Sequence, residues 1–206
     1  MKIASWNVNS LKVRLPHVLD WLDQWQPDVL AIQETKLADD VFPAAPIHEA
    51  GWNVIYSGQK TYNGVAIISG NPATEVLTDP PGVPDEQRRI LAATVDGVRI
   101  VDLYVPNGQT VDSDKYRYKL DWMERVASYL ERETAEHERL VVLGDFNIAP
   151  TDADVYDADA LRGQIHCTER ERAALKRIRE IGLDDTFRLF DQPKRSFSWW
   201  DYRANA

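Results

Sequence analysis

The sequence predicts a mixed α/β fold in which two mostly antiparallel sheets are covered by helices. Short apolar runs separated by turn residues suggest hairpins and meanders, a few long amphipathic segments lie between them, and Asp96-Gly97 joins two apolar runs as a hairpin turn. A doubly wound parallel sheet is the runner-up. Neither Gly-x-Gly-x-x-Gly nor Gly-x-x-x-x-Gly-Lys is present to support it. With domains running to roughly 150 residues, a chain of 206 is nearer one large domain than two, so residues 1–206 are expected to form a single domain.

The elements follow in order. Lys2 to Trp6 is a short apolar strand that gives way to Asn7-Val8-Asn9-Ser10. From Pro16 to Trp25, Val18, Leu19, Leu22 and Trp25 recur at helical spacing, with Pro16 in the first turn and Pro27 as the stop. Asp28 to Gln33 is a second apolar strand ending at Glu34. Residues 37–50 are loop or short helix, and Trp52–Ser57 and Val65–Ser69 are strands, the second preceded by Tyr62-Asn63-Gly64. Ile90–Val95 and Val98–Tyr104 form the hairpin, and Val105-Pro106-Asn107-Gly108 follows. A long amphipathic helix covers Asp114 to Arg132, then Leu140–Gly144 is a buried strand ending in Asp145-Phe146-Asn147. Thr168-Glu169-Arg170-Glu171 is a capping box that opens a helix closed by Gly182, and Ser196–Trp200 reads as a final strand. The proline-rich stretch 79–84 is a loop.

Composition narrows the function classes. Hydrophobic residues make up 44% and charged residues 28% of the chain, close to globular averages, and no apolar run is long enough to span a bilayer. The N-terminal Met1-Lys2-Ile3-Ala4-Ser5-Trp6 resembles neither a secretory signal nor a transit peptide, so a cytoplasmic location is expected. A single cysteine, Cys167, excludes an internal disulfide framework and reads as a small packing residue. Net charge is 24 minus 33, or −9, which disfavours indiscriminate coating of nucleic acid. Carboxylates that hold a divalent cation would reverse that sign locally.

Apolar strands ending in Asn7, in Glu34, in Tyr104 with Asn107, and in Asp145 with Asn147 would gather carboxylates and amides at one sheet edge. Oxygen ligands of this kind suit Mg²⁺ or Mn²⁺, which take one or two carboxylates plus water and substrate phosphate. Each such residue alone is more often a cap or turn former. The set of four points to chemistry.

The strings Ile3-Ala4-Ser5-Trp6-Asn7-Val8-Asn9-Ser10-Leu11, Gln33-Glu34-Thr35-Lys36, Asn63-Gly64-Val65-Ala66, Tyr104-Val105-Pro106-Asn107-Gly108, Gly144-Asp145-Phe146-Asn147-Ile148-Ala149-Pro150 and Ser198-Trp199-Trp200-Asp201-Tyr202-Arg203 occur in that order. Together they resemble the exonuclease III type of abasic-site DNA endonuclease, within the endonuclease/exonuclease/phosphatase superfamily. Gln-Glu-Thr and Gly-Asp-Phe-Asn mark the superfamily, which includes lipid and inositol phosphatases, whereas the opening string and Trp-Trp-Asp-Tyr-Arg point to the DNA repair branch. The resemblance implies a four-layer α/β/β/α sandwich, a Mg²⁺ or Mn²⁺ cofactor, and hydrolysis of the phosphodiester 5′ to abasic sites. It also implies 3′→5′ exonuclease and 3′-phosphatase activity on double-stranded DNA, with the protein a monomer. Carried over, Glu34 is the metal ligand, helped by Asn7. Asp145 positions or deprotonates the attacking water, Asn147 and Tyr104 hold the scissile phosphate with Asn107, Gln109 probes the duplex, and Trp199 lines the sugar pocket. Asn9 stands where some relatives carry an aspartate.

Plainer readings apply to other residues. Trp6, Trp21, Trp25 and Trp122 are expected in the core, Lys115, Arg117 and Lys119 on a solvated helix face, and Arg170, Arg172, Lys176, Arg177 and Arg179 in surface pairs with glutamates. His17, His48, His137 and His166 lie outside the catalytic strings. In the family the chain runs on through an Arg-rich stretch and an Arg-Ile-Asp strand to Ser-Asp-His. The resemblance therefore implies that C-terminal sheet elements and an Asp-His pair are missing from residues 1–206, with slower turnover and lower stability for this chain alone. A DNA-binding remnant without catalysis, or a phosphodiesterase for another phosphate ester, are the alternatives.

Overall fold

The computed structural model describes residues 1–193 and 195–198, which form two compact units. The first comprises Met1–Val105 with Glu131–Phe146 and contains both sheets; the second comprises Pro106–Leu130 and the described residues after Phe146. Sheet one has the order β1-β2-β4-β3, from β1 (Ile3–Asn7), β2 (Val29–Gln33), β3 (Asn53–Ser57) and β4 (Val65–Ser69). Sheet two has the order β5-β6-β7-β8, from β5 (Thr74–Leu77), β6 (Ile90–Val95), β7 (Val98–Tyr104) and β8 (Leu140–Asp145). The helices are α1 (Leu11–Trp25), α2 (Ala44–Glu49), α3 (Asp114–Glu136), which straddles the two units, α4 (Ala158–Leu161) and α5 (Glu169–Glu180). This is the expected α/β sandwich with mostly antiparallel sheets. The parallel pairings are β1 with β2 and β7 with β8.

Period-two alternation decides which side chains meet. Leu30 and Ile32 of β2 and Ala66 and Ile68 of β4 pack with Leu11, Val18 and Leu22 of α1 and Ile47 of α2. The intervening residues, Val29, Val65 and Ile67, pack against Leu91, Ala93, Val95 and Ile100 of sheet two. Both faces of sheet one are thus buried, which is why β2 and β4 read as continuous apolar runs.

Helix α1 starts at Leu11, five residues before the expected Pro16. Pro16 lies inside the helix on its exposed side, where the missing amide leaves the carbonyl of exposed Lys12 without its helical partner. Trp25 is 52% exposed at the C-terminal end of α1 and stacks on Trp21, so it is not a core residue as expected. Trp122 is buried, and Trp6 and Trp21 are half-buried and pack against the first core. Helix α3 runs one turn beyond Arg132, where Glu133 takes the Nε–H of buried Arg99 at 2.7 Å. Ser196–Ser198 forms no strand, and Trp199 and Trp200 lie outside the described residues. No helix among the described residues is long and apolar enough to cross a membrane.

One polar line crosses the core between the sheets. Gln33 Nε2 donates to Ser5 Oγ at 3.2 Å and to Asp102 Oδ1 at 2.7 Å. Asp102 is fully buried and its Oδ2 has no partner among the described residues. Burial pushes its carboxyl well above the usual range despite the Gln33 donor, which favours the neutral acid. With the folded pKa above the unfolded value of about 3.9, the folded state binds the extra proton, and stability falls as pH rises through that interval. The slope reaches about 1.4 kcal/mol per pH unit. Asp102→Asn keeps an acceptor for Gln33 and removes this proton linkage. Denaturant unfolding between pH 5 and pH 8 should therefore show the variant gaining on the wild type as pH rises, and parallel profiles would refute the neutral acid.

Candidate active site

Within the first unit, the two parallel strand pairs direct four chain ends to one edge. Asn7 of β1 is in register with Gln33 of β2, and Tyr104 of β7 with Asp145 of β8. In a parallel pair both C-terminal ends lie on the same side. Asn7, Glu34, Tyr104 and Asp145 therefore meet, as the strand endings suggested. Asn7 Nδ2 donates to Glu34 Oε1 at 2.9 Å and to Asp145 Oδ2 at 2.8 Å, so one amide bridges both carboxylates. Its Oδ1 accepts the Asn9 N–H at 3.0 Å.

The loop after β2 is shaped to aim Glu34. Glu34 and Lys36 both adopt left-handed backbone, with φ of 57°. The Thr35 and Lys36 N–H groups donate to the carbonyls of Gly64 and Asn63, and Ser10 N–H donates to the Glu34 carbonyl. Gly64 has φ +90°, and a Cβ there would come within 2.1 Å of Thr35 Oγ1. Only glycine lets the two loops approach so closely, which explains Asn63-Gly64 ahead of β4.

Electrostatics fix the protonation of this group. Burial alone would raise the pKa of Glu34, but donors from Asn7, Lys36 and Tyr104, with the charge of Lys36, hold it below its ordinary value. Lys36 Nζ lies 2.9 Å from Glu34 Oε2 and donates to Asn9 Oδ1 at 2.5 Å, so the Asn9 oxygen is engaged by a cation of the chain itself. Tyr104 donates its phenol hydrogen to Glu34 Oε1 at 2.8 Å. Burial and the Glu34 charge push its pKa far up, so the phenol stays a donor. The Arg89 guanidinium lies 4.7 Å from the Tyr104 ring centroid and donates to the Tyr104 carbonyl at 3.1 Å, fixing the ring.

Two ionisable carboxylates bridged by an amide make an oxygen donor set for one hard divalent cation that keeps water and substrate in its remaining positions. Among the described residues no three His, Cys, Asp or Glu side chains converge into a closed cage. The residues present fit Mg²⁺ or Mn²⁺ better than the nitrogen and sulfur sites of zinc.

The second unit holds the other expected residues. Asn107 Nδ2 lies 3.4 Å from Asn147 Oδ1 and 3.3 Å from His166 Nε2, and Asn107 Oδ1 accepts the Gln109 N–H at 3.1 Å. Gln109 is exposed with φ 59°, and Asn147 has φ 49°. Trp199 lies outside the described residues. Two residues that the sequence had set aside belong to this group. His166 Nδ1 donates to the Asn147 carbonyl at 2.5 Å, which leaves Nε2 to accept from Asn107. Lys119 was expected on a solvated face, yet it is fully buried; Glu171, 52 residues further along, accepts from its ammonium at 2.5 Å. Of the expected surface pairs with glutamates, Lys176–Glu180 and Arg177–Glu124 form, whereas Arg172 reaches Asp152.

The chain is similar to known proteins along its whole length. The Endonuclease/Exonuclease/phosphatase family profile matches residues 4–206. Exodeoxyribonuclease III of Haemophilus influenzae is 32% identical over 220 residues, covering 100% of this chain and 82% of the relative. The solved structure of the 3′-5′ exonuclease NExo from Neisseria meningitidis is 46% identical with a TM-score of 0.97, covering 100% of this chain and 80% of that one. Another, described as 3′ phosphatase NExo from Neisseria bound to a product DNA hairpin, is 46% identical with a TM-score of 0.96, covering 98% of this chain and 79% of that one. An AP endonuclease from Archaeoglobus fulgidus is 39% identical with a TM-score of 0.93, over 98% and 79% of the two chains. A family profile spanning nearly the whole sequence, with full-length matches of this kind, establishes that the chain belongs to the Endonuclease/Exonuclease/phosphatase family as a phosphodiesterase of its exonuclease III type.

Proposed function

We propose that this DNA repair nuclease hydrolyses phosphate esters at DNA 3′ ends, removing 3′ phosphates and 3′-terminal nucleotides with Mg²⁺ or Mn²⁺. The observation that carries the reading is the Asn7–Glu34–Tyr104–Asp145 group, in which one amide brackets two carboxylates at the ends of parallel strands. The emphasis on 3′ ends is supported by the names of the 46% identical neighbours, a 3′-5′ exonuclease and a 3′ phosphatase. Incision 5′ to an abasic site is the second reading, favoured by the ordered motifs and by the 39% identical AP endonuclease. The chemistry is common to both: water attacks phosphorus, the bond from phosphorus to the 3′ oxygen breaks, and a 3′ hydroxyl is left.

Glu34 holds the cation, and Asn7 orients Glu34 and Asp145 through their carboxylate oxygens. When bound, the cation neutralises phosphate charge and polarises the phosphorus–oxygen bond. Asp145 accepts the proton of the attacking water. Asn107 and Asn147 donate amide hydrogens to the non-bridging oxygens, and the Tyr104 phenol adds a donor that stays protonated at working pH. Gln109 contacts the duplex and Trp199 the sugar. The protein works in the cytoplasm as a monomer.

Initial rates on matched duplexes, one with a 3′ phosphate at a nick and one with an internal abasic site, test this. The 3′ phosphate should be released at least about tenfold faster. Faster abasic incision would move the assignment to the second reading, and a preference for lipid or inositol phosphates would refute both.

A further inference from the structure

We infer that the buried Lys119–Glu171 pair is a positioning device that fixes Asn107 and Asn147 through their main-chain carbonyls. The inference rests on the reading that these two asparagines hold the phosphate. Lys119 Nζ donates to Glu171 Oε1 at 2.5 Å, to the Asn147 carbonyl at 2.7 Å and to the Asn107 carbonyl at 3.3 Å. Both side chains of the pair are fully buried. One ammonium thus ties together two loops that are 40 residues apart in sequence and end β7 and β8 respectively.

The capping box of α5 does not need the lysine. Glu171 Oε2 accepts the Thr168 N–H at 3.1 Å and hydroxyl at 2.8 Å, which completes the cap. Glu171 Oε1 remains for Lys119 and for the His166 N–H at 3.1 Å. A buried ion pair is also a poor source of stability, because desolvating two charges offsets their attraction and an apolar pair serves equally well. What this pair provides that an apolar pair does not is direction: a tetrahedral donor set locks carbonyls whose residues carry the working amides. Asn147 sits in left-handed backbone, and its carbonyl receives both Lys119 and His166 Nδ1. Gly108 gives an independent indication. A Cβ there would lie 3.1 Å from Lys119 Cδ and 2.9 Å from Ile165 Cδ1, so the glycine after Asn107 lets the chain run tightly over the lysine stem.

The test is a double-mutant cycle on 3′-phosphate duplex at saturating Mg²⁺. Lys119→Met with Glu171→Gln removes both charges while keeping an acceptor for the cap, so the melting temperature should stay near that of the wild type. Its kcat should fall about 30- to 100-fold with KM changed less than threefold, as expected for small misplacement of groups that touch the transition state. In an Asn147→Ala background the same double change should cost clearly less, about three- to tenfold, because only the placement of Asn107 is left to lose. A folded double variant with wild-type kcat, or a loss that multiplies in full with that of Asn147→Ala, would overturn the inference. If Asn147→Ala alone turns over like the wild type, the phosphate role of Asn147 fails first, which is a separate result. Independently of any variant, ¹⁵N-lysine spectra of the wild-type protein should show one slowly exchanging ammonium coupled through hydrogen bonds to the Asn107 and Asn147 carbonyl carbons. Rapid exchange of that ammonium would also overturn the clamp.

Discussion

Asp145→Asn should lower kcat by about 10³-fold while leaving the KM for DNA within about threefold. General base catalysis contributes about 10² to 10⁴ in rate, and the substitution removes the basic oxygen while preserving size. Asn7 Nδ2, which donates to Asp145 Oδ2 at 2.8 Å, still finds an acceptor in the amide oxygen of the substituted side chain. The β8 backbone is unaffected, because the Asp145 carbonyl keeps the Val105 N–H at 2.9 Å. Single-turnover release of phosphate from a 3′-phosphorylated nick separates chemistry from product release. A fall of less than tenfold would remove Asp145 from the role of base.

Glu34→Gln should raise the Mg²⁺ concentration for half-maximal rate by at least about tenfold, the lower end of what even indirect ligand supports cost. The wild-type carboxylate is kept ionised by Asn7, Lys36 and Tyr104 in spite of its burial, and a charged oxygen is what a hard cation needs. Glutamine is neutral and leaves Lys36 without its counter-ion. Unchanged half-saturation together with an unchanged rate would make the four-residue group a loop-capping network and nothing more.

Most of the fold could be read from the sequence because the strands with two buried faces are also its most apolar runs. β2 and β4 are buried at every position, and the Asp96-Gly97 turn sits where β6 meets β7. β5 was not legible: three of its four residues are exposed, Glu75 breaks the extended backbone with φ 50°, and its register with β6 shifts. Such a strand exists because β6 offers an edge. The start of α1 was misplaced because Pro16 usually marks a first turn, while here buried Leu11 anchors an earlier one.

Residues in the candidate site were legible in proportion to how local their signal is. Asn7, Glu34, Tyr104 and Asp145 each end an apolar run, and parallel pairing alone gathers them. Lys119 and His166 have no such mark. Lys119 follows Lys115 and Arg117 along a charged helix, and its burial is met by Glu171 on another helix and by the Asn107 and Asn147 carbonyls, all distant in sequence. His166 acquires its role from left-handed backbone at φ 72° and from the Asn147 carbonyl, neither of which leaves a trace in the neighbouring residues.

The central claim is that the chain hydrolyses DNA phosphate esters through a divalent cation held at Glu34. The most direct measurement is release of phosphate from a 3′-phosphorylated nicked duplex by protein stripped with EDTA, followed by titration with Mg²⁺. Release should be absent after stripping and return along a saturable curve, with circular dichroism unchanged throughout. Release that ignores EDTA, or a folded protein that releases nothing at any Mg²⁺ concentration, would contradict the account.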